Sequence, residues 1–170
     1  PYSQQLELYV RTLTPQASDT QRQLFDVPKD AYVTFDPHDQ TCTFADLFAA
    51  TSLVWLHPKK WNQACYDFAM IKGENSSQLE GPKCVELFTF QCTRSKDHSV
   101  KPDYLAELID WLVKHLGVEV KTLTHVALTD TANFASFSFG PVPNQRLRLY
   151  TDAGPRAMKY CTSVAFCSDI

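Results

Sequence analysis

The stretch VELFTFQCTRSKDH (residues 85–98) begins as a β-strand and ends in polar and cationic side chains. Strand alternation places one set of side chains on one face, namely Val85, Leu87, Thr89, Gln91 and Thr93. The opposite face carries Glu86, Phe88, Phe90 and Cys92. Apolar residues on both faces are typical of a central strand that is covered on both sides. Because Arg94, Lys96 and His98 follow at once, we expect this strand to end at a functional site.

The segments around this strand predict an α/β fold. Upstream, NQACYDFAMIKG (residues 62–73) has the composition of another strand. Downstream, PDYLAELIDWLVKHLG (residues 102–117) predicts a helix, because proline suits the first turn, leucines recur at helical spacing and glycine suits the C-cap. VEVKTLTHVALT (residues 118–129) then predicts a further strand. The expected core is therefore a mixed central sheet flanked by helices.

Weaker patterns flank this core. A short helix is predicted at residues 3–13, and residues 21–39 are predicted as loops with one short strand at 31–35. Thr43 is a candidate N-cap for a helix that runs to residue 56. Further strands are predicted at 135–142, 145–151 and 162–167. We expect residues 1–170 to form a single domain, with its core at about residues 43–140.

Composition narrows the class of protein. Hydrophobic residues make up 44% of the 170 residues and charged residues 21%, which is typical of a soluble globular domain. The formal net charge of −3 excludes a module that binds phosphate backbones through bulk charge, so any nucleic-acid contact must come from a local patch. No apolar run is long enough for a membrane helix, and no signal peptide is recognisable. The chain begins at Pro1 without an initiator methionine, so we expect it to be part of a larger protein.

The six cysteines predict an intracellular protein with reduced thiols. They are Cys42, Cys65, Cys84, Cys92, Cys161 and Cys167. No C-x-x-C pair occurs, several cysteines lie in apolar surroundings, and secreted disulfide frameworks are usually shorter and denser in cysteine. The spacing also disfavours a structural zinc site.

Three polar residues on two neighbouring predicted strands form a candidate site. Strands joined by a short turn bring their ends together, and residues i and i+2 project from one face. Asp67, Gln91 and Thr93 are therefore expected to converge at one end of the sheet. A carboxylate on one strand and a polar pair on the next is an arrangement in which metal-dependent nucleases hold Mg²⁺ against a phosphate.

The order of elements and the D-(x)n-Q-x-T arrangement resemble the restriction-endonuclease-like (PD-(D/E)xK) superfamily. More narrowly, residues 62–73 together with FTFQCTRSKDHSVKPDYLAELIDWL (residues 88–112) resemble the nuclease-like domain of trypanosome retrotransposon hot spot proteins and of crinkler effectors. The resemblance extends over about residues 55–139. It implies a restriction-endonuclease-like sheet, a larger parent protein with an ATPase-type module, a nuclear setting and association with chromatin.

The resemblance also implies roles for individual residues. Asp67 would occupy the metal-binding position, with Mg²⁺ or Mn²⁺ held by Asp67 and Gln91. Gln91 and Thr93 stand where typical members have the acidic residue and the lysine, which is a departure because glutamine is a weak ligand and threonine supplies no cation. Lys96 is a candidate for the missing cationic role, and His98 for proton handling or phosphate contact.

Candidate nucleic-acid contacts are Arg94, Lys96 and Lys101, together with Lys59 and Lys60 before Trp61. Structural readings remain open for all of these residues: a solvated basic loop, a carboxylate that caps a turn, and polar groups that satisfy the backbone at a sheet end. His125, in an apolar strand, is predicted to be a satisfied core histidine. The alternative function is a catalytically inactive nuclease fold that serves as a protein-interaction module, and a third is an effector domain whose partner is a protein.

Overall fold

The computed structural model describes residues 5–12, 20–26, 32–36, 53–59, 65–73, 84–140, 148–151, 154–157 and 159–167. The strands in this part of the chain are β1 (Gln5–Thr12), β2 (Thr20–Asp26), β3 (Tyr32–Phe35), β4 (Leu53–Pro58), β5 (Phe68–Gly73), β6 (Cys84–Cys92), β7 (Asp97–His98), β8 (Glu119–Thr129), β9 (Ser138–Phe139), β10 (Arg148–Thr151), β11 (Gly154–Ala157) and β12 (Lys159–Cys167). The helices are α1 (Pro102–Leu116) and α2 (Thr131–Phe134). No helix among the described residues has the length and apolar character needed to cross a membrane.

The described strands form one mixed eight-stranded sheet in the order β2-β1-β12-β8-β6-β5-β4-β3, so the α/β class is confirmed. Two small ribbons, β7–β9 and β10–β11, accompany it. β4, β5 and β6 are an antiparallel meander, and α1 then connects β6 to the parallel strand β8. β3, β4, β6, β8 and β12 therefore run in one direction. We call the end of the sheet where β4, β6 and β8 finish and β5 begins the carboxyl end.

β6 is a central strand, as its sequence predicted. Val85, Leu87 and Thr89 are fully buried on the face that α1 covers, and Phe90 is buried on the opposite face. α1 contributes a buried stripe of leucine, isoleucine and tryptophan side chains to the first face. The helix begins at Pro102, where no backbone N–H is needed, and ends at Gly117, which has the positive φ of 61° of a left-handed C-cap.

The face of the sheet opposite α1 is built around aromatic rings. Phe90 stacks on Phe68 with ring centroids 4.9 Å apart and on Trp55 with centroids 5.3 Å apart. Met70, Val126 and Leu128 are buried with them. Because Phe90 lies on β6 with β5 and β4 beside it, this cluster ties the meander together through side chains as well as through the hydrogen-bond ladder.

Two predicted helices are wrong in the described residues. Residues 5–12 form strand β1 instead of a helix, because Leu6, Leu8 and Val10 recur with the period of two that suits a strand. Residues 53–56 belong to β4, where the β-branched and aromatic Val54 and Trp55 pair with β5. Residues 43–52 of that predicted helix lie outside the described residues.

Other boundaries also shift. β2 lies where mostly loop was predicted, because it is a hairpin partner of β1. The strand predicted at 62–73 begins only at Phe68, so Asp67 directly precedes β5, and Thr93 directly follows β6. Of the strand predicted at 135–142, residues 135–140 are described, and within them Ser138–Phe139 forms a strand that belongs to a ribbon. In the described part of the chain, Cys65, Cys84 and Cys92 form no disulfide with one another.

Candidate functional site at the carboxyl end of the sheet

Asp67 closes the ladder between β5 and β6. Its backbone N–H donates to the carbonyl oxygen of Phe90 over 2.8 Å, and its carboxylate oxygen Oδ2 accepts the backbone N–H of Cys92 over 2.6 Å. Since Phe68 pairs with Phe90, Asp67 lies beside Gln91 at the end of the ladder. The two residues are therefore neighbours on adjacent strands, as the sequence predicted, but one carboxylate oxygen already serves the backbone.

This contact gives a testable contribution to stability. Asp67→Ala removes the acceptor of the Cys92 N–H, and we expect the free energy of unfolding to fall by about 1 kcal/mol. Asp67→Asn keeps an oxygen acceptor in the same place and should lose less than half of that. Urea denaturation of the unaltered protein and the two variants measures both changes. An unchanged free energy of unfolding in Asp67→Ala would show that the contact contributes nothing.

Gln91 and Thr93 are also turned toward the protein. The side-chain oxygen Oε1 of Gln91 is buried and has no hydrogen-bond partner among the described residues. Thr93 donates its N–H to the carbonyl oxygen of Leu128 over 2.8 Å, and its hydroxyl accepts the N–H of Ser95 over 3.0 Å. The hydroxyl thus shapes the turn that follows β6.

These donors do not fit the Mg²⁺ or Mn²⁺ ion that the resemblance implies. Mg²⁺ is usually held by one or two carboxylates with waters and phosphate oxygens in an open octahedral shell. Here the single carboxylate, that of Asp67, shares its Oδ2 with an amide, and the Gln91 oxygen is enclosed. No group of three histidine, cysteine, aspartate or glutamate side chains in the described part of the chain is placed to hold a metal.

The loop after β6 carries exposed cations and is held from several sides. Arg94 and Lys96 are exposed. The backbone oxygen of Lys96 accepts the N–H of Ser138 over 3.0 Å, and that of His98 accepts the N–H of Gly140 over 2.8 Å, so the β7–β9 ribbon anchors the loop. These bonds fix the loop backbone while both cationic side chains face solvent.

Two further predicted contacts reach the same end of the sheet. Lys59 follows β4 directly and is exposed, and its N–H donates to the carbonyl oxygen of Phe35 over 2.8 Å. Lys101 is the exposed N-cap residue of α1, beside the buried Cys65. Burial raises the pKa of the Cys65 thiol, while a backbone hydrogen bond from Lys101 and its charge act in the opposite direction. Lys60 lies outside the described residues.

His98 is half-buried at the end of this loop. Its ring nitrogen Nδ1 lies 3.0 Å from the carbonyl oxygen of Ser99, and because that oxygen only accepts, Nδ1 carries the hydrogen and donates it. The role in proton handling or phosphate contact stays a prediction.

His125 is the residue that sequence reasoning undervalued. It is fully buried in β8, and its Nδ1 lies 2.9 Å from the hydroxyl oxygen of Thr89 on β6. Burial lowers its pKa to about 4, with a smaller contribution from the charge of His98. The predicted core position is confirmed, but the ring is only half satisfied, because Nε2 has no partner among the described residues.

Nothing in the sequence pairs Thr89 with His125, because the two residues are separated by a helix and meet only through the parallel register of β6 and β8.

Comparisons with protein-family models, with curated proteins and with solved structures give no significant match for this chain.

Proposed function

We propose that this chain is a restriction-endonuclease-like domain that contacts nucleic acid through the carboxyl end of its sheet. The observation that carries the proposal is that Lys59, Arg94, Lys96 and Lys101 are exposed at that one end. They come from three different connections of the chain, yet the shared direction of β4 and β6 brings them to the same side.

The architecture supports this placement. In open α/β sheets, ligands bind outside the carboxyl ends of the strands. The antiparallel strands β5 and β6, followed by α1 and the parallel strand β8, match the strand, strand, helix, strand order predicted from the sequence, although β4 lies where a helix was predicted. Asp67 directly precedes β5 and Gln91 lies near the end of β6, where we place the metal-ligand positions that the resemblance implies.

The chemistry at this end favours phosphate contacts. Lysine and arginine side chains on a fixed loop can neutralise successive backbone phosphates without base specificity. The carboxylates of Asp67 and Asp130 lie at this same end and keep their negative charge while they accept backbone N–H groups. Asp97 and Asp103 are exposed nearby, so we expect few phosphate contacts and a modest affinity.

We propose binding without cleavage. Phosphodiester hydrolysis in this superfamily needs acidic ligands and a cation near the scissile phosphate. One oxygen of the Asp67 carboxylate accepts the N–H of Cys92, and the hydroxyl of Thr93 accepts the N–H of Ser95. Gln91 carries no charge. Incubation of labelled single-stranded DNA, duplex DNA and RNA with Mg²⁺ or Mn²⁺ should give no cutting beyond an EDTA control. Cutting that is lost in Asp67→Asn would establish an active nuclease instead.

The binding proposal predicts a salt dependence. With up to four phosphate contacts on single-stranded DNA, the logarithm of the association constant should fall against the logarithm of salt with a slope of about −3. Replacing Arg94 and Lys96 together by glutamine should reduce the magnitude of that slope by about 1.4, because two contacts are removed. Fluorescence anisotropy with a labelled oligonucleotide measures both slopes.

A matched control uses the opposite end of the sheet. Lys114 lies in the last turn of α1 and Lys121 near the start of β8, and both are exposed. Replacing these two by glutamine changes the net charge equally and should leave the slope unchanged. Equal reductions of the slope in the two double variants would mean that binding depends on overall charge. That result would contradict a binding site at the carboxyl end.

A second candidate function has its own supporting observation. The residues at the catalytic positions, Asp67 and Thr93, each stabilise the backbone, which is the arrangement expected of a catalytically inactive fold kept for protein interactions. Absence of binding to all three nucleic acids, with the fold intact, would favour this candidate. The proposed nuclear location rests on the sequence resemblance alone and is compatible with either function.

A further inference from the structure

Three buried polar atoms lie on one face of the sheet without hydrogen-bond partners among the described residues. They are Oε1 of Gln91 on β6, and Nε2 of His125 and Oγ1 of Thr129 on β8. The bond between Thr89 and His125 shows that these two side chains share the face covered by α1. Gln91 follows Thr89 by two residues, so it belongs to the same face.

The strand register makes the side chains of Gln91 and His125 diagonal neighbours. Gln91 pairs with Ala127, and Ala127 follows His125 by two residues on the same face. Diagonal neighbours in a sheet have Cα atoms roughly 7–8 Å apart, which long side chains can span. Ala127 is itself buried and carries only a methyl group, so it leaves room beside the Gln91 amide.

Aromatic rings cover this position. Phe137 packs against Ala127 in a small cluster that also includes Phe139. The ring of Phe139 lies 5.7 Å from the ring of His125, centroid to centroid. Phe139 belongs to the β7–β9 ribbon, so the segment that anchors the cationic loop also packs against His125.

The chemistry of the two atoms restricts what can lie between them. The Oε1 oxygen of Gln91 only accepts hydrogen bonds, whereas a neutral imidazole has one N–H and one acceptor nitrogen. A bridging group must therefore donate to Gln91 and either donate or accept at His125. It must also be small and uncharged, because the surrounding side chains are those of alanine, phenylalanine and the uncharged Thr129. A water molecule meets each requirement, and buried waters characteristically satisfy such groups.

We propose that Gln91 and His125 form a binding site for one buried water molecule beneath Phe139. Thr89, His125, the water and Gln91 then make a continuous hydrogen-bonded chain from the core of the sheet to its carboxyl end. The chain fixes the orientation of the Gln91 amide next to Asp67. It is a property of the fold and does not depend on the proposed nucleic-acid contact.

A high-resolution crystal structure of the protein tests the proposal directly. The expected result is one water oxygen within about 2.6–3.2 Å of both Gln91 Oε1 and His125 Nε2. A direct hydrogen bond between the two side chains, or contact of both atoms with apolar groups alone, would overturn it.

Solution measurements on variants provide the second test. Gln91→Met keeps the length of the side chain but removes its acceptor, and ¹⁷O magnetic relaxation dispersion should then count one long-lived water fewer than in the unaltered protein. Trp55→Phe is the matched control, because Nε1 of Trp55 is also buried without a partner among the described residues but belongs to the aromatic cluster on the opposite face of the sheet. That variant should retain the bridging water. An unchanged count in Gln91→Met would contradict the proposal.

Discussion

Phe90→Ala is expected to lower the free energy of unfolding by about 3–5 kcal/mol, the range for truncating a fully buried phenylalanine. Phe90 is 1% exposed and stacks on both Phe68 and Trp55. Its removal takes away the transfer free energy of the ring and leaves two neighbouring rings without their shared contact. Equilibrium denaturation in urea, followed by tryptophan fluorescence and by circular dichroism, measures the change.

Phe88 provides the matched control for this substitution. It lies two residues earlier on β6, on the same face, and is only half-buried. Phe88→Ala should therefore cost less than half as much as Phe90→Ala. Equal losses of stability in the two variants would mean that Phe90 contributes no more to the aromatic cluster than Phe88 does. A loss below about 1 kcal/mol in Phe90→Ala would contradict the burial of Phe90 between the two rings.

Stability should fall as the pH is lowered from about 6.5 to 4, because His125 must remain neutral in the folded protein. The pKa of His125 falls from 6.5 to about 4 on folding, chiefly through burial. Between those values the unfolded chain binds a proton that the folded protein does not, so the free energy of unfolding rises with pH. The contribution is fully present above pH 6.5 and is lost as the pH falls to 4. It amounts to about 3 kcal/mol.

The variant His125→Gln isolates this contribution. Glutamine keeps a hydrogen-bonding group near Thr89 but does not titrate, so the fall in stability between pH 6.5 and 4 should be smaller in the variant by about 3 kcal/mol. The control His57→Gln, at an exposed position, should keep the full pH dependence. If His125→Gln fails to fold, the ring carbon shift of His125 followed by NMR still decides, since titration near pH 6.5 would contradict a buried neutral ring.

The elements that could be predicted are those whose pattern is local. β6, α1 and β8 appear within a residue or two of their predicted positions, because strand alternation, leucine spacing, Pro102 and Gly117 act within a few residues of chain. The neighbouring positions of Asp67 and Gln91 were also predictable. Consecutive strands that pair antiparallel bring the start of one next to the end of the other, as β5 and β6 do.

The failures lie where pairing partners are distant in the chain. Residues 5–12 contain enough helix-forming residues to suggest a helix, but they pair with β12 at the far end of the chain as well as with β2. Residues 53–56 similarly form part of β4, because that strand has hydrogen-bonding partners on both sides, β3 and β5. Tertiary hydrogen bonding of this kind overrides modest local propensity.

By itself the sequence determined the α/β class, the central strand with its two faces, and the polar residues at the end of that strand. Only the tertiary structure decided what those residues do. It joined Asp67 to the Cys92 amide, enclosed the Gln91 oxygen, and brought His125 to Thr89 across the register of two parallel strands. The physical reason is that periodicity fixes which face a side chain takes, whereas its partner depends on which distant strand lies alongside.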